Sequence, residues 1–254
     1  MVDIHCHIIP NIDDGPRNFS DFVDMATEAV RSGVTDIFAT PHHHNGRFEN
    51  EKGKILKLTL DLNQYLLKIG IPLTIHPGQE LRLHRDIFKM MEKDEVLTLG
   101  DQGRYLLLEL PTMELPTYTH EVFYELLLKG VTPIIVHPER NAAICEEPNL
   151  LYSLVQEGAL TQLTSGSIIG HFGKRAMVTS EKMIEHHLAH FIANDAHNIN
   201  TRGFYLQKAY EKITKSNGIE KAFFFKENAQ LLLNGQSVMY EQPIQIRRKI
   251  LGIF

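Results

Sequence analysis

The sequence predicts an α/β fold, a parallel (β/α) barrel of seven strands, on three grounds. Apolar strand-like runs alternate with helical stretches seven times, with no repeated sequence and no linker. Alternation of that kind implies a parallel sheet with right-handed crossovers. The strands read as nearly continuous apolar runs, as in Tyr-Leu-Leu-Leu-Glu-Leu over 105–110, which suits strands covered on both faces. Polar residues then sit at the C-terminal ends of strands one, two, three, four, five and seven. An open sheet gathers ligands only at its switch point, whereas a barrel brings every strand end to one rim.

Residues 2–8 form the first strand. Side chains two apart share a strand face, so His5 and His7 project together with Asp3 behind them, while Ile4, Cys6 and Ile8 turn the other way. Asn11-Ile12-Asp13-Asp14-Gly15-Pro16 is a turn, and a helix capped near Asn18 or Ser20 runs to Gly33. Strand 35–40 leads into Pro41-His42-His43-His44, and helix 51–69 stops at Gly70. Strand 72–76 leads into Pro77-Gly78-Gln79-Glu80, followed by a short extra helix over 86–93. Strand 105–110 carries Glu109, and helix 119–129 ends at Gly130. Strand 132–137 runs into His137-Pro138-Glu139-Arg140, with a helix over 149–157. Strand 160–164 precedes Ser165-Gly166-Ser167 and helix 175–187. Strand 190–193 ends in Asn194-Asp195-Ala196-His197-Asn198, and two or three helices fill 201–233. Residues 1–235 make up the barrel and 236–254 a tail. The tail sets Arg247, Arg248 and Lys249 between Ile244, Ile246, Ile250, Leu251 and Ile253, a pattern for packing on the barrel or for docking a partner chain or an acidic membrane surface.

The 254 residues are 43% hydrophobic and 22% charged with a net charge of -5, which gives no support to a nucleic-acid-binding surface. No apolar run approaches the roughly 18 residues of a membrane span, and with polar residues from Asp3 onward no signal peptide is expected. Two cysteines make no disulfide framework. A reduced, cytoplasmic protein is expected, meeting a membrane only through its substrate or its basic tail. The anomaly is 14 histidines, which points to metal chemistry.

In chain order the rim residues are His5, His7, Asp14, His42, Glu80, Glu109, His137, Asp195 and His197, five imidazoles and four carboxylates. Nine ligands exceed the four to six of one transition-metal ion, so they suit two or three ions with a bridging carboxylate. Nitrogen and oxygen donors without thiolate select Mn, Fe or Zn. Arg140, three residues after His137, and Arg202, five after His197, are placed to bind phosphate in bidentate fashion. Neither cysteine opens the loop of a cysteine phosphatase, which carries an arginine six positions on: those places hold Ile12 and Leu151.

His5-Cys6-His7, Asp13-Asp14-Gly15-Pro16, Pro41-His42, Glu80, His137-Pro138-Glu139-Arg140 and Asp195-Ala196-His197 together resemble the PHP (polymerase and histidinol phosphatase) superfamily. More closely, they resemble its manganese-dependent protein-tyrosine phosphatases of bacterial capsule and exopolysaccharide operons, over residues 1–235. The resemblance implies a distorted (β/α)7 barrel with three Mn²⁺ ions, Fe or Zn being substitutes. His5, His7, Glu80 and Asp195 would hold the first; Glu80 would bridge to a second held by Glu109 and His137; Asp14, His42 and His197 would hold the third. Many superfamily members have histidine where this chain has Asp14 and Glu109, and Asp13 is an alternative to Asp14. The implied substrate is a phosphotyrosine protein, the C-terminal tail of a bacterial tyrosine kinase, and Arg140 and Arg202 are the implied phosphate-binding arginines. Three other functions compete: a small-molecule phosphatase such as histidinol-phosphatase, an amidohydrolase, and a non-catalytic metal-bound regulatory module. The amidohydrolase reading is weakened by Glu109 standing at the end of strand four where that family often uses a modified lysine.

Overall fold

In a computed structural model, which describes residues 1–246, every strand pairing is parallel. Among the described residues nine strands form, rather than seven: β1 (Val2–Cys6), β2 (Asp36–Ala39), β3 (His42–His43), β4 (Thr74–Pro77), β5 (Glu80–Arg82), β6 (Tyr105–Glu109), β7 (Thr132–Val136), β8 (Leu160–Thr164) and β9 (Phe191–Ala193). They fall into a three-stranded sheet, β1-β2-β4, and a six-stranded sheet, β3-β5-β6-β7-β8-β9.

The two extra strands, β3 and β5, lie just beyond the expected ends of the second and third strands. Pro41 has no N–H to give a ladder, so β2 stops at Ala39 and pairing resumes at His42. Between β4 and β5, Gln79 turns inward instead of pairing. Its amide donates to Asn50 O (2.7 Å) and its Oε1 accepts from Leu97 N (2.7 Å). Gly78 is required there, since a Cβ would meet Leu99 Cδ2 at 2.8 Å. Cys6 makes a parallel bridge to Ala196 beyond β9, with His7 N donating to Ala196 O and Asp195 N to His5 O (both 2.9 Å).

Helices between the strands are α1 (Phe19–Arg31), α2 (Lys52–Ile69), α3 (Ile87–Glu92), α4 (Thr119–Leu128), α5 (Ala142–Glu146), α6 (Asn149–Gln156), α7 (Ser165–Ile168), α8 (Lys174–Glu185), α9 (Leu206–Asn217) and α10 (Ile219–Leu233). Asn18 caps α1 by accepting from Asp21 N, and Gly70 ends α2 in the left-handed conformation. The short helices α5 and α7 were not expected. The last helical region starts at Leu206, not near 201, because Asn198 Oδ1 accepts from the amides of Asn200, Thr201 and Arg202 and holds 198–202 as a turn. One apolar cluster takes Ile4, Phe38, Leu107, Ile134 and Phe191 from five strands. A larger one packs helix residues such as Phe22, Met25, Leu66 and Phe123 against the strands. Among the described residues no helix is long and apolar enough to cross a membrane.

Residues 236–246 lie against the strand-and-helix body. Tyr105 Oη donates to Gln236 O, Asn149 exchanges two hydrogen bonds with Ile246, and Ile244 N donates to His186 O. Arg247, Arg248, Lys249, Ile250, Leu251 and Ile253 of the tail lie outside the described residues. Buried Asn228 of α10 ties this segment to β9: its Nδ2 donates to His190 O and Met239 O, and its Oδ1 accepts from Met239 N. Replacing it by alanine strands those three backbone groups, and Asn228→Ala should lower unfolding free energy by about 2–3 kcal/mol in denaturant titration. A change under about 0.5 kcal/mol would mean that the segment does not depend on this anchor.

Candidate metal centre

The first strand delivers two imidazoles to one point. His5 and His7 are buried, and their Nε2 atoms lie 3.2 Å apart. Each Nε2 is also 3.2–3.5 Å from Glu80 Oε2 and from Asp195 Oδ1. Donor atoms around one ion at about 2.1 Å are spaced by about 3.0–3.4 Å, so His5, His7 and Glu80 match a single coordination sphere, with Asp195 Oδ1 beside the two imidazoles. Asp195 and His137 both sit at strand ends with positive φ (52° and 37°). That conformation is costly for a non-glycine residue, and here it aims each side chain over the rim.

The proton arrangement fits a cation. His5 Nδ1–H donates to Gln162 Oε1 (2.8 Å), His7 Nδ1–H to Asp13 Oδ2 (2.7 Å) and His197 Nδ1–H to the Asp195 carbonyl (3.0 Å). In each ring the Nε2 lone pair is thereby turned to the centre, as metal-ligating histidines require. Among the described residues five buried atoms facing the centre have no hydrogen-bond partner: Glu80 Oε2, Asp195 Oδ1, His42 Nδ1, His197 Nε2 and Glu109 Oε2, the last ion-paired with Arg82. His42 Nδ1 comes within 2.8 Å of Glu80 Oε2, but the two are not aligned as donor and acceptor. Orphaned buried polar atoms cost about 1–3 kcal/mol each, and cations would satisfy all five.

His42 reaches in two directions. Its Nδ1 is 2.8 Å from Glu80 and 3.8 Å from Glu109 Oε2, and its Nε2 is 3.5 Å from Asp14 Oδ1. Asp14 Oδ1 is in turn 3.2 Å from His197 Nε2. Three groups of mutually close donors result: His5, His7 and Glu80; His7, Asp14, His42 and His197; and His42, Glu80 and Glu109. His137 Nε2 meets the other oxygen of Glu80 at 2.9 Å, while Glu109 Oε2 is held at 3.0 Å by Arg82, two residues beyond Glu80 on the same strand.

Of the paired acids, Asp13 is spent on orientation: it takes His7 Nδ1–H, Gly15 N and His42 N. Asp14 is the one that faces the Nε2 atoms of His42 and His197. Burial alone would raise the carboxyls of Glu80 and Asp195, but the surrounding charges hold both well below their usual range, His42 and His5 for Glu80, Arg140 and His5 for Asp195. Glu109 goes the other way, pushed up to about 7 by burial and the charge of Glu80. Burial, with the charge of Arg140 or of His7, pushes His137 and His197 down to about 4, leaving both neutral and able to act as ligands.

Arg140 and Arg202 each donate through Nη2 to Asp195 Oδ2, at 2.6 and 2.7 Å. They line a cavity of about 250 Å³ with His42, Glu109, Thr112 and His137. A roomier hollow of about 760 Å³, lined by His43, Glu49, Lys52 and Asp94 among others, has none of the nine rim residues in its wall. Sequence reasoning gave no role to three polar residues that shape the centre. Gln162 orients His5. Asp3 is buried and raised to about 6 by that burial; it accepts from Asn194 N and Nδ2 and so positions the residue beside Asp195. Glu139, also buried, accepts from Thr164 N beside Arg140. Their signal was a polar side chain inside an apolar strand or its exit, which carries no indication of partner.

Residues 1–234 match the family model described as capsular polysaccharide synthesis, CpsB/CapC. The chain is 44% identical to the tyrosine-protein phosphatase YwqE of Bacillus subtilis over the whole of both proteins. It is 40% identical to the putative tyrosine-protein phosphatase CapC of Staphylococcus aureus, over 96% of each. A crystal structure of YwqE, described with the CpsB of Streptococcus pneumoniae as unique metal-dependent tyrosine phosphatases, superposes with a TM-score of 0.95 over 98% of this chain and 100% of that one.

The division of labour between the paired acids can be measured. Asp13→Asn should weaken metal affinity by about 10–100-fold without changing the number of ions bound at saturation, whereas Asp14→Asn should lower that number. Elemental analysis across a metal titration decides it, and the reverse pattern would make Asp13 the ligand.

Proposed function

This chain belongs to the CpsB/CapC family of capsular polysaccharide synthesis, and from that membership we propose that it is a metal-dependent protein-tyrosine phosphatase acting through metal-activated water. The observation that carries the reading is the meeting of buried imidazole and carboxylate donors with two arginines in one cavity. The ions are Mn²⁺, three in number. Glu80 would bridge between His5, His7 and Asp195 on one side and Glu109 and His137 on another, and Asp14, His42 and His197 would hold the third. The close approach of His42 to both Glu80 and Asp14 supports a continuous cluster. We read the two sheets as one distorted (β/α)7 barrel. In support, β2 runs on into β3, β4 into β5, and Cys6 bridges to Ala196 across the remaining seam. Residues 236–254 are read as a separate tail, whose described part, 236–246, lies against that barrel. The substrate is a phosphotyrosine protein, the C-terminal tail of a bacterial tyrosine kinase governing capsule or exopolysaccharide synthesis, met in the cytoplasm.

Cations bound here would lower the pKa of a water toward neutrality and neutralise phosphoryl oxygens. The chain's own residues do the rest. Asp13 and Gln162 fix the rings of His7 and His5, so the donor set needs little reorganisation. Arg140 and Arg202 present guanidinium N–H groups to the non-bridging phosphoryl oxygens, a charge-assisted and bidentate match. Before substrate arrives, Asp195 Oδ2 holds both arginines at the cavity wall. A tyrosine phenol, with a pKa of about 10, leaves as the anion far more readily than an aliphatic alcohol, so the site suits aryl phosphates without a strong general acid.

Side-by-side turnover of a phosphotyrosine peptide, a phosphoserine peptide and histidinol phosphate tests the reading. The phosphotyrosine peptide should be hydrolysed well ahead of the other two, and preference for histidinol phosphate would mark a small-molecule phosphatase instead.

The thiols supply a second test. Cys6 is fully buried, and burial pushes its pKa well up; Cys145 donates to Glu139 O and is likewise raised by burial. Neither is a thiolate nucleophile. A Cys6→Ser, Cys145→Ser double variant should keep activity within severalfold, with activity lost on chelation and restored by Mn²⁺. A folded, metal-loaded and inactive double variant would sink the water mechanism.

A further inference from the structure

Phe172 lies in the connection between α7 and α8, outside the donor set, and its half-buried ring meets the guanidinium of Arg140, whose Cζ is 5.3 Å from the ring centroid. Two further features hold the ring there. Beneath it, Gly166 of α7 leaves room that no other residue would: an added Cβ would stand 2.7 Å from Phe172 Cε2 and 3.2 Å from Cδ2. The backbone at Gly166 does not have positive φ, so the glycine is explained by the ring and not by the turn. Beside it, His171 Nε2–H donates to Thr201 O at 2.6 Å, and the His171 ring lies 5.1 Å from that of Tyr205. The segment with Phe172 is thereby fastened to the loop that carries Arg202.

We infer that Phe172 is a positioning residue for phosphoryl binding, its ring face holding the Arg140 guanidinium toward the cavity when a phosphoryl group takes the place of Asp195 Oδ2. Asp195 is the only carboxylate to which Arg140 donates among the described residues. An arginine that turns toward an incoming phosphoryl oxygen gives up or shares that contact, and a long side chain freed in this way loses orientation. A ring face attracts a guanidinium without competing for its N–H groups, so stacking keeps the plane fixed while all donors stay available. The His171–Thr201 bond extends the same constraint to the second arginine-bearing loop.

The inference rests on the phosphoryl-binding role proposed for Arg140, and a double-mutant cycle separates the two. Inhibition by inorganic phosphate, KM and kcat for a phosphotyrosine peptide, and metal content would be measured for the parent, Phe172→Leu, Phe172→Tyr, Arg140→Ala and Phe172→Leu with Arg140→Ala. Phe172→Leu should weaken phosphate inhibition and raise KM by roughly three- to tenfold, with kcat changed less and metal content intact. Phe172→Tyr should stay close to the parent, and Phe172→Leu should add nothing once Arg140 is alanine. Gly166→Ala, which forces the ring aside without removing it, should reproduce the Phe172→Leu effect and covers the case of a poorly folded Phe172→Leu. An equal loss in both arginine backgrounds, or no loss in the parent background, would overturn the positioning role. Parent-like phosphate inhibition in Arg140→Ala would overturn it together with the role of Arg140.

Discussion

The buried carboxylate of Glu80 is the point on which the rim depends. Its Oε2 faces His5, His7 and His42, and its Oε1 meets His137. An ionised carboxylate removed from water costs several kcal/mol unless charge and donors compensate it. The compensation comes from β1, from β3 and from the turn after β7, far apart in sequence. Parallel strands make that convergence possible, because their C-terminal ends all lie on one side. Gln79, locked between Asn50 and Leu97, fixes the backbone that carries Glu80 to the rim.

A second constraint runs through Asn194. It donates twice to buried Asp3, and its Oδ1 accepts from Ser165 Oγ, Tyr205 N and Leu206 N. One side chain therefore joins the start of β1, the end of β8 and the start of α9, with Asp195 as the next residue. The strained φ of Asp195 and the reach of Arg202 back to its carboxylate both depend on that junction. Strain of this sort persists where surrounding hydrogen bonds over-determine the conformation. Polar residues that touch no ligand thus set the geometry of those that would.

Much of this was legible in the sequence because ligand-type residues at strand exits follow from periodicity and turn signals alone. His5 and His7 two apart on a strand, and His42, Glu80, His137 and Asp195 just past apolar runs, needed no tertiary information. What was not legible depends on long-range packing. The short strand β5 beyond Gly78 is set by what Gln79 and Leu99 meet from other elements. Which of Asp13 and Asp14 faces the centre is decided by His7 Nδ1, Gly15 N and His42 N, and a Cβ at Gly15 would strike His7 O at 2.2 Å. Gln162, Asp3 and Phe172 have partners roughly 30 to 190 positions away, a distance across which one sequence carries no pairing signal.

If cations hold the rim together, they must also hold the fold. The imidazoles and carboxylates that converge on Glu80 include, among the described residues, five buried atoms without a hydrogen-bond partner, and a ligand that binds only the folded state adds about 4 kcal/mol at a thousandfold over its Kd. Thermal melting of the full chain with and without chelator measures this directly. Chelation should lower the midpoint by roughly 10 °C, with recovery on adding Mn²⁺; a midpoint indifferent to chelator in a protein whose metal has been shown to leave would contradict a cation-held centre.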